Sequence, residues 1–463
     1  MTDLYARWSL RRLGAAVVTL ACCATVAACT NGLADNGTEP PDPIAAEWQL
    51  AIETDAAAPE PTQAVIDGDE LFVWGHVGVD DDGVGLVAFD LATGEELWHA
   101  DTKVSGAWVT DEAIVAATMD SEVTVVDRTT GEPRFEIDGA DQANRVAVTA
   151  GGVAVLKESG DDLTLVFHDL DSGSQLWSEE VRNHGPAIKA HIAAPVEAPK
   201  VHGTSHRSKQ LRLRIAQESP LLYVYTQAGD DSGMYAAHAV SDGEQRMTTG
   251  VDATAEAVPK GFMTVSGDDN VVTLVGLDNC SATYAIVDDD FVEREVFEVH
   301  GGQRCEVTIP SVQENYGDDM LYGIDYDGQP QLLDADTGEV VWTASEEGVP
   351  FAYVDGVATY GRDGYAKAVD IDSGEQLWDW DYESMESDGY KFTEIDSSNL
   401  YGANGDIVML GSVWSTHAVG AEDGEPLWTS RSGVVDFNDE YVVLREGVDT
   451  QKQTLQVAKI DGG

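Results

Sequence analysis

The chain has 463 residues, of which 84 are acidic and 26 are Lys or Arg, so its formal net charge is −58 at pH 7. A charge of this sign and size disfavours nucleic acid and anionic lipid as general partners. Because 43% of the residues are hydrophobic, the chain can still build a large core, and the acidic residues are expected on its surface. High salt would screen their mutual repulsion, which favours a salt-adapted source; an acidic protein from an ordinary source is the alternative.

The N-terminal segment predicts export. After a start that contains three arginines, an apolar run spans 13–28, which is too short for a permanent membrane span. The run ends in Val-Ala-Ala followed by Cys29, which resembles the bacterial lipobox. That resemblance implies that residues 1–28 are removed as a signal peptide and that lipidated Cys29 anchors an extracytoplasmic protein to the cell membrane; an ordinary cleaved signal is the alternative. Residues 29–46 are polar and contain prolines, so we expect a flexible tether.

The five cysteines have different expected fates. Cys22 and Cys23 leave with the signal peptide, and Cys29 receives the lipid. Cys280 and Cys305 remain, and because exported compartments are oxidising they are predicted to form a disulfide. This bond would close a loop of about 25 residues and stabilise the fold by roughly 3 kcal/mol.

A repeated segment is the strongest signal in the body of the chain. Each copy has an apolar strand, often an Asp, a polar turn that ends in Gly, and a short strand that ends in an aromatic residue. Clear copies span 86–98, 123–135, 165–177, 330–342, 365–378 and 416–428, and a weaker copy spans 235–247. Because Gly supplies the positive φ and the Asp or Thr oxygens accept backbone N–H groups, each copy is predicted to be a β-hairpin.

The aromatic residue recurs at one place in each clear copy, four residues after the Gly. These residues are Trp98, Phe135, Trp177, Trp342, Trp378 and Trp428. A large ring at a fixed place in every unit can bury against the next unit. Apolar strand pairs between the copies bring each unit to about four antiparallel strands.

These copies resemble the PQQ-like (quinoprotein-type) repeat, with its A-x-D-x-x-T-G-x-x-x-W pattern, over nearly all of 47–463. The resemblance implies an all-β protein, namely a β-propeller whose blades have four antiparallel strands. We predict eight blades, with seven as the alternative, although nine candidate units can be drawn. The segment 454–463 stops just after a turn, and Trp48 begins a strand that would follow one. Strands from the two ends are therefore expected to complete one blade, which removes an open sheet edge.

The same resemblance raises the question of a quinone cofactor. PQQ dehydrogenases of this repeat type have adjacent cysteines, a calcium site and a catalytic Asp, whereas the adjacent cysteines here lie in the signal peptide. We therefore predict no PQQ cofactor, no metal site and no catalytic residue. The acidic clusters at 80–82, 288–290 and 325–327 lack the spacing of an EF-hand and are interpreted as solvated loops. Serine-hydrolase and zinc-protease motifs do not occur.

Residues 182–214 differ from the rest of the chain because they contain seven basic residues, four His and one acid. They fill the longest gap between copies, so we interpret them as an insertion that protrudes from one blade. The predicted docking residues for an anionic partner are Lys189, Lys200, Arg207, Lys209, Arg212 and Arg214. The alternative is that the segment packs on the acidic propeller as an internal counter-ion. A metal site at His202 and His206 lacks further matching ligands.

Together these features predict a non-enzymatic cell-envelope lipoprotein that uses its propeller as a binding or scaffold module. The resemblance implies such a role because this repeat family includes outer-membrane assembly lipoproteins. The partner is expected to be an envelope protein or a wall polymer, with the lipid anchor in the membrane and no nucleic acid bound. Two alternatives stay open: an extracytoplasmic enzyme, either a quinoprotein-like dehydrogenase or a hydrolase, and a small-ligand sensor, each with its site in the central channel.

Overall fold

A computed structural model shows that the chain is built from β-strands. It describes residues 43–53, 62–75, 85–100, 102, 104–118, 122–138, 145–149, 151–159, 162–181, 189–193, 196–197, 214–215, 221–227, 232–252, 263–266, 270–277, 281–287, 293–300, 320–324, 329–334, 339–354, 356–362, 365–381, 402–404, 407–412, 415–438, 440–447 and 452–460. Within these ranges no helix is long and apolar enough to cross a bilayer. The predicted signal peptide and most of the predicted tether lie outside them.

The first strand, β1 (Ala46–Glu53), joins the sheet that ends the chain, and three four-stranded antiparallel units follow it. Unit 1 contains β2 (Gln63–Asp67), β3 (Glu70–Gly75), β4 (Gly85–Asp90) and β5 (Glu96–Ala100). Unit 2 contains β6 (Val104–Val109), β7 (Ala113–Thr118), β8 (Glu122–Asp127) and β9 (Pro133–Asp138). Unit 3 contains β10 (Val146–Thr149), β11 (Gly152–Ser159), β12 (Asp162–Asp169) and β13 (Gln175–Val181).

The insertion interrupts unit 4 between its first and second strands. Unit 4 contains β14 (Lys189–Ala193), then the inserted pair β15 (Val196–Glu197) and β16 (Arg214–Ile215), then β17 (Leu221–Gln227), β18 (Ser232–Ala239) and β19 (Gln245–Asp252). Unit 5 contains β20 (Met263–Ser266), β21 (Asn270–Leu277), β22 (Ser281–Val287) and β23 (Glu293–His300). One parallel pair, Val251 with Leu277, joins units 4 and 5 into an eight-stranded sheet.

The remaining strands form three further units and the sheet that closes the chain. Unit 6 has three described strands, β24 (Met320–Ile324), β25 (Pro330–Asp334) and β26 (Val340–Thr343). Unit 7 contains β27 (Val349–Val354), β28 (Val357–Arg362), β29 (Tyr365–Asp370) and β30 (Gln376–Asp381). Unit 8 contains β31 (Gly402–Asn404), β32 (Ile407–Ser412), β33 (Ser415–Gly420) and β34 (Pro426–Ser430). The closing unit contains β35 (Gly433–Phe437), β36 (Tyr441–Glu446) and β37 (Lys452–Lys459), together with β1.

The closing unit confirms that strands from the two ends of the propeller complete one sheet. β1 pairs antiparallel with β37, with Leu50 opposite Leu455. Trp48 on this strand donates its Nε1–H to the carbonyl oxygen of Leu91 in unit 1 at 2.8 Å. β1 therefore holds the last unit and the first unit together. The fold is an all-β propeller. Its described strands form nine units, but units 4 and 5 share one sheet, so the number of eight blades stays a prediction.

The hydrophobic core lies between neighbouring units. One cluster combines unit 1 with unit 2 through Phe72, Trp98 and Ile114, and another combines the closing unit with unit 1 through Ile66 and Val443. Equivalent clusters join unit 2 to unit 3, unit 3 to unit 4, and unit 8 to the closing unit. Stability therefore depends on contacts between successive sheets, as expected for a repeat protein.

The repeated turn has the same hydrogen bonds in four copies. In the first, Asp90 Oδ1 accepts from the N–H of Thr93 at 2.8 Å and from Thr93 Oγ1 at 2.6 Å. The same arrangement recurs around Asp127, Asp169 and Asp370. The bond from the Thr93 hydroxyl lowers the pKa of Asp90 below its ordinary value, so this carboxylate stays charged in the turn.

In two copies the Asp lies at the fourth position of the turn instead of the first. Ala239 and Gly420 stand where the other turns have Asp, while Asp242 and Asp423 stand where they have Thr or Ser. The Oδ1 atoms of these two aspartates accept the backbone N–H two residues later, at 2.8 and 2.9 Å. A Cβ atom at Gly420 would lie 2.3 Å from Asp423 Oδ1. The relocated Asp is therefore accompanied by a small residue, Ala239 or Gly420, in both copies.

Two turn glycines allow a test of how much the packing of an aromatic ring over the turn restricts substitution. Gly131 and Gly374 have φ values of +69° and +70°, so Ala at either site costs about 1–2 kcal/mol for the left-handed conformation. At Gly131 the added Cβ would lie 2.5 Å from Trp98 Cε3, whereas at Gly374 nothing lies within 4 Å. Gly131→Ala should therefore cost about 1–3 kcal/mol more than Gly374→Ala, through overpacking. Urea unfolding of both variants checks this, and equal midpoints would contradict it.

Candidate interaction site

The repeated tryptophans join each unit to the next. The Nε1–H donates to the carbonyl of the second residue in the following turn, at distances of 2.7 to 2.8 Å. The pairs are Trp48 with Leu91, Trp98 with Arg128, Trp177 with Val240, and Trp378 with Ala421. In each pair the ring also lies over the Gly of that turn, so closely that no Cβ would fit. These side chains are therefore engaged between sheets.

Three other predicted aromatic positions depart from this pattern. Phe135 lies over Gly173 in the same way, with a hypothetical Cβ 2.6 Å from its Cδ2, but has no N–H to donate. Trp342 instead contacts Tyr360, with ring centroids 5.8 Å apart. Trp428 is buried, and its Nε1 has no hydrogen-bond partner among the described residues. The turn that would follow it, 461–463, lies outside the described part of the chain.

The insertion lies against inner strands of the propeller. In a propeller the blades surround a central channel, and here the first strands of neighbouring units contact one another, as β2 with β35 and β10 with β14 do. The inserted pair bridges two of these inner strands, since β15 contacts β20 of unit 5 and β16 contacts β6 of unit 2. The described part of the insertion, β15 and β16, therefore borders the channel.

The predicted docking residues divide into two groups. Lys189 lies on β14 and Arg214 on β16, where Arg214 stands opposite Glu197 in the register of the hairpin. The others, Lys200, Arg207, Lys209 and Arg212, lie outside the described residues, as do His202 and His206. The structure thus places Lys189 on an inner strand and Arg214 on a strand that contacts one.

Several other predicted sites fall outside the described ranges. Cys29, Cys280 and Cys305 are among them, so the lipid anchor and the disulfide stay predictions. The three acidic clusters that we interpreted as solvated loops are also outside. Within the ranges that are described, no group of three or more His, Cys, Asp or Glu is arranged to hold a metal ion.

Arg128 is an inter-unit contact that sequence reasoning missed. Its guanidinium donates to Glu70 Oε2 at 2.7 Å and to the carbonyl oxygen of Thr110 at 3.0 Å, and pairs with Asp67. It also lies 5.2 Å from the centroid of the Phe72 ring. Burial opposes its charge, but the hydrogen bonds and charges of Glu70 and Asp67 outweigh burial and raise the pKa of Arg128. The one available signal was a basic residue inside a turn of an acidic chain.

A second group that was missed is buried between the closing unit and unit 1. Asp436 Oδ2 accepts the N–H of Ile66 at 2.7 Å, and Gln453 Oε1 accepts the N–H of Thr62 at 3.1 Å. Arg445 donates to the carbonyl oxygen of Thr62 at 2.8 Å. These bonds satisfy backbone groups at the junction where the propeller closes. They interrupt apolar strands, which is the pattern that could have identified them.

Two histidines occupy the same position in units 3 and 4. The Nδ1 atoms of His168 and His238 lie 3.0 Å from the carbonyl oxygens of Gly173 and Gly243 respectively. Burial lowers the pKa of both imidazoles. Their Nε2 atoms are buried without a partner among the described residues. Each ring therefore contacts the turn of its own unit.

The sheets and turns define a β-propeller with PQQ-like repeats. The family model described as outer membrane protein assembly factor BamB, a PQQ-repeat model, matches residues 81–202. This match agrees with the repeat identified from the sequence. The search of curated proteins gives no match.

Solved structures of low identity cover most of the chain. BamB from Moraxella catarrhalis is 13% identical with a TM-score of 0.43, over 89% of this chain and 97% of that chain. The quinohemoprotein alcohol dehydrogenase from Comamonas testosteroni is 10% identical with a TM-score of 0.45, over 91% and 77%. Sqt1 from Saccharomyces cerevisiae is 9% identical with a TM-score of 0.44, over 91% and 100%.

Proposed function

We propose that this protein is a non-enzymatic binding or scaffold lipoprotein of the cell envelope, held at the membrane through Cys29. The observation that supports this most is the position of the inserted hairpin, with β15 against β20 and β16 against β6. The two alternatives, an enzyme and a small-ligand sensor, were each expected to have their site in the central channel, and here the chain's own insertion borders that space. The family model that matches 81–202 is that of an envelope assembly factor, which agrees with a scaffold role.

The insertion is the element that distinguishes this propeller from a plain repeat. The repeated aromatic side chains are engaged between units, through bonds such as that from Trp98 Nε1 to the Arg128 carbonyl. The insertion instead adds a concentration of positive charge to a chain whose net charge is −58. Unlike charges on two partners speed their encounter and fix their orientation. We therefore assign partner docking to the insertion, with an anionic envelope component as partner.

Crosslinking of the full-length lipoprotein in intact envelopes tests the proposal. Deletion of 198–213, with a short Gly-Ser linker in its place to form the turn, removes basic residues but retains β14, β15 and β16, so the inner strands keep their contacts. We expect this variant to lose the crosslinked species that the wild-type protein forms. Lys459→Gln serves as the control, because Lys459 is exposed on β37 in the closing unit. Unchanged crosslinks after the deletion would refute the docking role, and dye reduction after addition of PQQ and Ca²⁺ would favour the dehydrogenase alternative.

A further inference from the structure

The outer strand of unit 8 is covered by a segment that precedes β1. Residues 43–45, which we call the strap, run alongside β34, the last strand of that sheet. Pro43 forms a parallel bridge with Thr429, and the N–H of Ile44 donates to the carbonyl oxygen of Thr429 at 3.0 Å. The Ile44 side chain packs, as Leu427 does, against the core cluster between unit 8 and the closing unit. An extended segment with an apolar side chain therefore docks on the outer edge of a unit.

Unit 3 presents the equivalent edge in a more exposed form. Its outer strand, β13, ends its sheet as β34 does, and Leu176 stands where unit 8 has Leu427. Leu176 is 55% exposed, the largest value among the exposed large apolar side chains of the described residues, whereas Leu427 is half-buried. The next residue also differs, since Trp177 is half-buried and Trp428 is buried. Apolar surface that is covered in unit 8 is therefore left open to solvent in unit 3.

The backbone at Ser178 faces away from its own sheet. In both strands a register shift precedes the Trp, and the residue after the Trp is Ser178 in β13 and Thr429 in β34. A strand residue directs its N–H and C=O to the same side, and Thr429 directs its C=O to the strap. The N–H and C=O of Ser178 therefore also point outwards, and such groups on an edge strand are a template for a further strand.

We propose that β13 is a docking edge for an extended segment of a partner, which pairs with it as the strap pairs with β34. The segment has apolar residues, which cover Leu176 and the open part of Trp177. It also has basic residues, because Glu179 and Glu180 are exposed further along the strand and opposite charges on neighbouring strands attract. This surface goes beyond the proposed function, since it is separate from the insertion.

Hydrogen–deuterium exchange of the purified protein with a synthetic peptide tests this edge. The probe has the seven-residue length of β13 and alternates Ile or Val with Lys. We expect saturating probe to slow exchange across 175–181 by about threefold or more, because N–H groups that pair with the probe exchange only when the pairing opens. The internal control is β34, which the strap already covers, so exchange across 426–430 should not change. A probe with Glu in place of each Lys should bind about tenfold more weakly.

A double variant tests the two features of the edge together. Leu176→Thr with Ser178→Pro removes the apolar side chain and the outward N–H, and Pro is tolerated on an edge strand where the N–H faces away from the sheet. Fluorescence anisotropy of the labelled probe should show binding that is weaker by about tenfold or more. Ser178→Ala is the matched control, because it keeps the N–H and should bind the probe like the wild-type protein.

Three results would overturn the proposal: a probe that does not bind, a bound probe that leaves exchange across 175–181 unchanged, or a double variant that binds as tightly as Ser178→Ala. Should the double variant misfold, exchange in the wild-type protein decides the question. Protection of 175–181 by self-association without probe would identify a second copy as the occupant and reject a partner segment. Unchanged probe binding after deletion of 198–213 is expected, and it separates this edge from docking through the insertion.

Discussion

Trp98→Ala is expected to destabilise the propeller by about 3–5 kcal/mol, which is the usual cost of removing a large buried ring. Trp98 is 7% exposed and belongs to the cluster between units 1 and 2. Its Nε1–H donates to the carbonyl oxygen of Arg128 at 2.7 Å, and its ring lies over Gly131. The substitution removes the packing and the hydrogen bond together. Equilibrium unfolding in urea, followed by circular dichroism, measures the loss.

Leu97→Ala is the matched control for this prediction. Leu97 precedes Trp98 on β5 but is 46% exposed, so its truncation should change the free energy of unfolding by about 0.5 kcal/mol or less. Both variants remove a large apolar side chain from the same outer strand. If both lower the urea midpoint equally, the Trp contact between units does not carry the stability that we assign to it.

The repeated turn could be predicted from the sequence because its contacts are local. Asp90, Thr93 and Gly94 lie within five consecutive residues, and their hydrogen bonds follow from the residue types alone. The closing sheet could also be predicted, since a half-copy at each end of the propeller implied one complete unit. The regular recurrence of the aromatic residue indicated contact between units. In these cases the residue types and their spacing in the sequence were enough to predict which residues contact one another.

The remaining features depend on distant contacts. Arg128 bonds to Glu70 and Asp67, which are 58 and 61 positions away, and no periodicity relates them. The insertion was visible as a change in composition, but its position was not, because β6 and β20 are remote from it in the chain. A protruding loop and a hairpin at the channel have the same composition. The structure was therefore required to place this site.

His417 provides the second prediction with a large effect, which concerns pH. This residue lies on β33 near Trp380, with ring centroids 6.3 Å apart. Its Nδ1 is buried and has no hydrogen-bond partner among the described residues, and burial lowers its pKa to about 4. In the unfolded chain an imidazole titrates near its ordinary pKa of about 6.5. The folded state therefore keeps His417 neutral in a pH range where the unfolded state binds a proton.

The sign of the effect follows from this difference. A depressed pKa in the folded state gives stability that is fully present above the unfolded pKa and is lost as the pH falls towards the folded pKa. Between pH 7.5 and 5 the loss from His417 should reach at most about 2 kcal/mol, since one pKa unit corresponds to about 1.4 kcal/mol and the residue as a whole is half-buried. His417→Phe keeps a ring beside Trp380 and removes the titration, so its urea midpoint should fall less over this range. The same substitution at exposed His99 is the control, and parallel pH profiles for His417→Phe and the wild-type protein would contradict the prediction.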